Sequence, residues 1–441
     1  MTPRQPVTGA KRLLTRCQCP TDEEEVVTSP TNGLRCRECG RQFGPEALYV
    51  CEWCFGPLEA VYDYEAVARR VDAARIAAGP LSIWRYADLL PADPAGAVDL
   101  GAGYTPLVRA DRLAAELGLG ELWLKDDTRN PTGSFKDRVT SVALTRAREL
   151  GFKVAACVST GNLANSVAAH AARAGMECYV FVPADLERTK ITTTAVFGAR
   201  VAAVDGVYDD VNRLCAEIVD EHEDWAFVNI NLRAYYAEGS KTLAFEIAEQ
   251  LGWELPDHVV VPVASGSLLT KVDKGFGELG LVGLVDSGGR VRISGAQAAR
   301  CAPVATAFAA GSTVPTPVRP DTIAKSLAIG SPADGEAALR VVRASGGSVA
   351  AASETGILEA IQLLARTEGI FAETAGGVTI ACLEKLARDG IVRRDERVVA
   401  CITGTGLKTV EAFDGAVGPS AVIAPTLDAF TALENGWRNP E

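Results

Sequence analysis

The chain has 441 residues, 48% hydrophobic and 23% charged, with a formal net charge of −12. That length predicts two or three domains with substantial cores, and the acidic balance excludes nucleic acid or an anionic membrane surface as the main partner. The longest apolar runs, such as Val259 to Ala264, are strand-length and far short of a membrane span of about 20 residues. Residues 1–16 lack the apolar core of a signal peptide, so a cytoplasmic protein is expected.

Six of the twelve cysteines fall within the first 54 residues. Cys36 and Cys39 form one Cys-x2-Cys pair, Cys51 and Cys54 another, with Gly40 and Gly56 following closely. Two such knuckles aim four thiolates at one point, which is what a structural Zn2+ requires. A segment this polar needs metal to hold a fold, so residues 1–60 are read as a zinc-ribbon-like unit. Cys17 and Cys19 stay ambiguous, either alternative ligands or free thiols. Seven Lys or Arg against eight Asp or Glu over residues 1–60 leave no basic footprint, and the ribbon is expected to be a structural or docking appendage.

Residues 61–100 are expected to form a helical connector, with a helix over Tyr62 to Ile76 and breaks at Gly79-Pro80 and Pro91 to Pro94. From about residue 101 short apolar strands alternate with amphipathic helices. Strands are expected at Glu121–Lys125, Val154–Ser159, Cys178–Pro183, Arg200–Val204, Phe227–Ile230, Val259–Ala264, Arg292–Ala296 and Val398–Thr403. Helices are expected at Ser134–Leu150, Leu163–Ala174, Asp209–Glu221, Lys241–Leu251, Gly356–Glu368 and Gly377–Arg388. This alternation predicts an α/β class with doubly wound parallel sheets, and ligands at the carboxyl ends of the strands. The body is taken to span 101–415, with a smaller subdomain at about 140–240 and a C-terminal tail at 416–441.

The loops at those strand ends carry the chemistry. Asn130-Pro131-Thr132-Gly133-Ser134-Phe135-Lys136-Asp137-Arg138 places a lysine just inside a helix start, behind a tight turn. The helix's positive end favours loss of a proton, and only the neutral amine attacks an aldehyde, so Lys136 is suited to Schiff-base chemistry. Asn162 follows a small-residue turn and offers a side-chain amide to the cleft. Ser265-Gly266-Ser267-Leu268 form an anion nest at a helix start, matched to a phosphate monoester. Thr403 stands at the tip of the last strand, ahead of Gly404-Thr405-Gly406-Leu407-Lys408. His170 is read as packed or solvated, and His222 and His258 as surface residues. The six later cysteines, Cys157, Cys178, Cys215, Cys301, Cys382 and Cys401, are read as core thiols.

Asn130–Arg138, Ser159–Asn162, Ser265–Ser267, Glu368–Glu373 with Ala375-Gly376-Gly377, and Thr403–Lys408 together resemble threonine synthases. These are pyridoxal-phosphate enzymes of the tryptophan-synthase-β-like fold, fold type II, some of which carry a Cys-rich ribbon in front. The resemblance spans about Tyr104 to Lys408. It implies pyridoxal 5′-phosphate linked to Lys136, with Phe135 beside the ring and Asn162 on its 3′ oxygen. Ser265, Gly266, Ser267 and Leu268 would lie around its phosphate, and Thr403 would face the pyridine nitrogen. It also implies conversion of O-phospho-L-homoserine and water to L-threonine and phosphate, in a monomer or homodimer. Ser159, Thr160, Lys190 and Arg233 are candidates for the substrate phosphate, Arg233 foremost because its planar fork suits phosphate. Two alternatives stay open. One is a sibling enzyme acting on O-phosphoserine, as a cysteate or cysteine synthase, or dehydrating an amino acid. The other is an inactive zinc-ribbon scaffold. The chain departs from the family pattern at Thr374, where a proline is usual, at Val139, where a glycine is often found, and in its Ala-Ser-Gly-Ser nest. The family arginine also sits closer to the Glu-Gly element than Arg233 does.

Overall fold

The computed structural model describes residues 31–438, apart from positions 160, 187, 207, 287, 289 and 416. In chain order its strands are β1 (Thr31–Cys36), β2 (Gln42–Phe43), β3 (Leu58–Tyr62), β4 (Leu107–Arg109), β5 (Glu121–Asp126), β6 (Val154–Val158) and β7 (Glu177–Pro183). They continue with β8 (Arg200–Val204), β9 (Trp225–Phe227), β10 (His258–Pro262), β11 (Arg292–Ala298), β12 (Val349–Ala352) and β13 (Arg397–Ile402). They form a six-stranded sheet ordered β12-β11-β10-β13-β5-β4, a four-stranded sheet ordered β8-β7-β6-β9, and a three-stranded ribbon ordered β2-β1-β3. Both larger sheets are parallel except at one edge, where β4 runs antiparallel to β5.

Strands β6, β10 and β13 are buried almost throughout, because helices cover both faces of their sheets. Their Val, Ala and Ile runs show no alternation for the same reason. The helix Lys136–Glu149 lies in the interior, with eleven of its residues buried from Asp137 to Ala147. Helix ends are marked locally: Ser353 accepts from the Gly356 amide at the start of Glu354–Glu368, and Gly369 ends that helix at φ +69°.

Four expectations need correction. The segment from Tyr62 to Ile76 is not one helix; Tyr62 closes β3, and two five-residue helices follow, each capped by an aspartate, Asp63 and Asp72. The strand placed at Phe227–Ile230 lies earlier, at Trp225–Phe227, and residues 228–230 form a turn. His258 is fully buried at the start of β10, where its Nε2 lies 2.7 Å from Ser294 Oγ. The ribbon is not an appendage, because Leu34, Cys36, Cys51 and Leu58 share one core with Val139, Ala143 and Leu144 of the body. Strand β12, short and alanine-rich, and the antiparallel β4 escaped the pattern. Cys17 and Cys19 lie outside the described residues. Among the described residues no helix is long and apolar enough to cross a membrane.

Candidate active site

The carboxyl ends of β6, β10 and β13, with the turn that leads into Lys136, open onto one cleft of about 230 Å3. Its walls include Phe135, Lys136, Ser159, Asn162, Arg233 and Thr403, together with Ser265 to Leu268. The loops singled out from sequence thus converge in space.

Lys136 is the first residue of its helix. The preceding turn is pinned to the loop after β13: the Phe135 amide donates to the Thr403 carbonyl at 2.9 Å, and the Thr405 amide to that of Gly133, also at 2.9 Å. Gly133 takes φ +73°, and a Cβ there would come within 2.7 Å of Thr405 Cγ2, so no other residue fits the turn without displacement. Behind the lysine, the Asp137 carboxylate accepts from the Thr132 amide, the Thr132 hydroxyl and the Ser166 hydroxyl, each at 2.7 Å. Arg138 is fully buried and makes a bidentate pair with Asp127 at 2.7 Å for each bond. It also donates to Glu246, as does Lys125. Two cations therefore offset two carboxylates where burial would penalise any one alone.

Lys136 Nζ lies 2.9 Å from the Tyr236 hydroxyl and 4.4 Å from the Phe135 ring centroid. Burial pulls its pKa down to about 8, against the opposing charge of Glu373. At pH 7 roughly a tenth of such an amine is neutral, compared with about one part in three thousand for an ordinary lysine. Glu373 was not singled out as a site residue, and it organises this wall. Both of its carboxylate oxygens accept from Asn162 Nδ2, at 2.9 and 2.8 Å. Asn162 Oδ1 in turn faces Lys408 Nζ at 3.3 Å. Burial also lowers Lys408 to about 8, opposed by Glu373 and Asp137. Glu373 and Lys408 lie within motif segments and Tyr236 outside them, and nothing local distinguishes any of the three from packed neighbours.

The nest after β10 has the geometry of an anion site. Gly266 adopts φ +96° at the start of the helix Ser267–Leu281, and no side chain caps that helix. The Ser267 amide makes only a long bond to Ser265 Oγ, at 3.4 Å, and the amides of the next turn are left for a ligand. A Cβ on Gly266 would lie 2.7 Å from the Asp334 carbonyl oxygen. Thr403 is buried just beyond β13 and faces the same space.

Of the residues expected to read a second anion, Ser159 and Arg233 line the cleft. The Ser159 oxygen accepts from the Gly161 and Ala164 amides, both at 2.9 Å, which leaves its proton free to donate. Arg233 Nη2 is held by Asp334 Oδ2 at 2.6 Å. Lys190 is buried behind Gly161 and does not form part of the cleft wall; Thr160 lies outside the described residues.

The four ribbon cysteines bring their sulfurs within 4.8 Å of one another. Cys36 and Cys54 are 3.4 Å apart, and Cys39 and Cys51 3.7 Å. Tetrahedral thiolates about 2.3 Å from zinc stand about 3.8 Å apart, so the set fits that ion and no disulfide.

Residues 98–404 match the family described as "Pyridoxal-phosphate dependent enzyme". The chain is 40% identical to the threonine synthase of Methanocaldococcus jannaschii over 382 residues, covering 86% of this chain and 93% of that one. It is 36% identical to the threonine synthase of Methanosarcina acetivorans, covering 90% and 97%. Among solved structures, maize serine racemase superposes with a TM-score of 0.60 at 19% identity, covering 76% of this chain and 93% of that one. A threonine deaminase from Solanum lycopersicum gives 0.59 at 20% identity, covering 76% and 95%. At such low identity these two structures speak for the shared α/β fold alone.

Proposed function

From a chain that belongs to the pyridoxal-phosphate dependent enzymes and, within them, to the threonine synthase family, we infer conversion of O-phospho-L-homoserine and water to L-threonine and phosphate. The observation that carries the site assignment is the shared cleft: a buried amine of lowered basicity, an uncapped helix start at a serine-glycine nest, and a strand-tip hydroxyl line one cavity.

These residues fit pyridoxal phosphate. Lys136 would carry the covalent link, Ser265 to Leu268 the phosphate, Phe135 one side of the ring, Asn162 the 3′ oxygen and Thr403 the pyridine nitrogen. When bound, the cofactor supplies an electron sink for charge developing on the substrate carbons. The chain supplies position and proton movement. Lys136 Nζ is the proton carrier at the substrate α-carbon, and its lowered pKa keeps a neutral fraction available. Tyr236, within hydrogen-bond distance of Nζ, orients that amine. Glu373 fixes the Asn162 amide, so its direction is set before anything binds. Arg233, with the Ser159 hydroxyl, receives the substrate phosphate and later releases it. Lys190, behind Gly161, supports the loop that carries Ser159. The four ribbon cysteines hold a structural Zn2+, and reduced thiols of this kind suit a cytoplasmic setting.

Three measurements test this reading. Product analysis should show threonine and phosphate from phosphohomoserine, with little release from phosphoserine; the reverse preference would move the enzyme to the β-replacement class. Borohydride reduction of the holoenzyme followed by peptide mapping should place the cofactor on Lys136, and a label elsewhere overturns the site. Metal analysis should give about one zinc per chain, lost in Cys51→Ser together with several degrees of Tm.

A further inference from the structure

Arg37 stands next to the metal-ligand candidate Cys36 in the ribbon, yet its side chain reaches the catalytic body. Its Nη2 donates to Asp334 Oδ1 at 2.5 Å, while Arg233 Nη2 donates to Asp334 Oδ2 at 2.6 Å. The carboxylate between them is 6% exposed and the two guanidiniums 18% and 23%. Asp334 also belongs to the anion nest: its amide donates to the Ser265 carbonyl at 2.8 Å, and its own carbonyl closes over Gly266. Tyr49 of the ribbon lines both the main cleft and a small adjoining cavity bordered by Arg37, Arg233 and Asp334. Burial works against the charged form of Asp334, but Arg233 and Arg37 hold its carboxyl below the usual range, so it is ionised.

The charges decide what this triad can do. Arg233 alone against Asp334 would be a closed ion pair with nothing left for a phosphate dianion. With Arg37 on the other oxygen, one positive charge remains in excess, and it stands on the cleft wall. We propose that the ribbon completes the phosphate-binding charge of the cleft, Arg37 neutralising Asp334 so that Arg233 stays available to a phosphate monoester. That monoester is carried either by the substrate or by the cofactor. The proposal rests on the functional reading above for the identity of the two ligands, but not for the charge balance. Arg37 and Asp334 are positioning residues here, acting through Arg233.

The test uses zinc-replete Arg37→Ala and the double variant Arg37→Ala/Asp334→Asn. Three quantities are read: the Kd of inorganic phosphate for the holoenzyme, the KM for phosphohomoserine against kcat, and the Kd of pyridoxal phosphate for the apoenzyme. Loss of one net charge beside a dianion should weaken binding roughly tenfold. A rise in phosphate Kd and KM that exceeds the fall in kcat assigns the charge to the substrate phosphate. A rise in cofactor Kd assigns it to the cofactor phosphate. The double variant, with its excess charge restored, should return to within about threefold of the parent. If neither affinity moves in Arg37→Ala, or if the double variant binds as weakly as the single one, the proposal is wrong. Should Arg37→Ala lose its zinc, Asp334→Asn alone decides, since it keeps the ribbon and should tighten phosphate; unchanged or weaker binding overturns the idea. A parent enzyme inactive on phosphohomoserine would remove the functional reading, while the phosphate and cofactor titrations would still decide the charge balance.

Discussion

Asn162 gives its side-chain amide to both oxygens of Glu373, at 2.9 and 2.8 Å, across 211 residues of sequence. One carboxylate thereby orients an amide on the smaller sheet's side of the cleft from a helix start on the larger sheet's side. The same carboxylate is the charge that opposes the lowered basicity of Lys136 and Lys408.

Removing that charge should therefore make Lys136 less basic still. In Glu373→Gln the ammonium form loses its nearest counter-charge, so the folded pKa drops below about 8. Because the neutral amine is the form that links to an aldehyde, the pH midpoint for covalent cofactor capture should move to the acid side. Following capture by visible absorbance across pH gives the shift directly. Turnover should fall about tenfold or more, because Asn162 is no longer held by an anion. A midpoint that stays in place or moves alkaline contradicts this electrostatic account.

Arg138 shows how costly the framework behind the lysine is to disturb. Its guanidinium is fully buried among Asp127, Glu246 and the Thr105 and Thr242 hydroxyls. Arg138→Met keeps much of the volume and leaves two carboxylates with one ammonium, that of Lys125. The expected loss is about 3–5 kcal/mol, read from the urea midpoint at unchanged slope. A loss under about 1 kcal/mol would mean that water or rearrangement satisfies the carboxylates.

The parts of this site that were legible in sequence are those in which the signal is local. The Pro-Thr-Gly turn before Lys136 and the Ser-Gly-Ser nest each need particular residues at particular backbone angles, so a few neighbouring letters suffice. Glu373, Tyr236 and Lys408 act through contacts between 100 and 246 residues distant in the chain, and nothing beside them marks their role. The ribbon's reach into the cleft is hidden for the same reason, since Arg37 and Asp334 stand 297 positions apart. Val139, where a glycine is often found, is another such case. It packs against Gly239, where a Cβ would lie 2.6 Å from Val139 Cα, a contact between segments 100 residues apart.

His258 was expected at the surface because it opens a strand, but in a parallel sheet covered on both faces the first residue is buried with the rest. Burial, reinforced by Arg292 and opposed by Glu396, pushes its pKa down to about 4. The sign follows from proton uptake: between about pH 6.5 and 4 the unfolded chain binds a proton at this position and the folded chain does not. Stability should therefore fall as pH drops through that window, by about 3 kcal/mol from this group alone. In His258→Gln that part of the acid sensitivity should disappear, as a shallower dependence of the urea-derived free energy on pH from 6.5 to 4. An identical slope in both proteins would mean that the imidazole takes up its proton without unfolding.

Gly266 offers the sharpest separation of cofactor binding from fold. Its φ of +96° lies in a region that side chains other than glycine rarely adopt, and a Cβ would press on the Asp334 carbonyl oxygen at 2.7 Å. Relief requires either the nest or the Asp334 loop to move, and the nest is the freer of the two because Asp334 is tied to both Arg37 and Arg233. Gly266→Ala should thus misdirect the amides at the start of the helix Ser267–Leu281 while leaving the sheets intact. Each misdirected amide forfeits a charge-assisted hydrogen bond worth about 1.5–3 kcal/mol, so pyridoxal phosphate should bind apoenzyme about tenfold to a hundredfold more weakly. Borohydride trapping at saturating cofactor should still mark Lys136, since the amine is untouched. Cofactor affinity within about twofold of the parent would mean that the phosphate rests elsewhere in the cleft, because a single added methyl cannot leave a nest of this geometry unchanged.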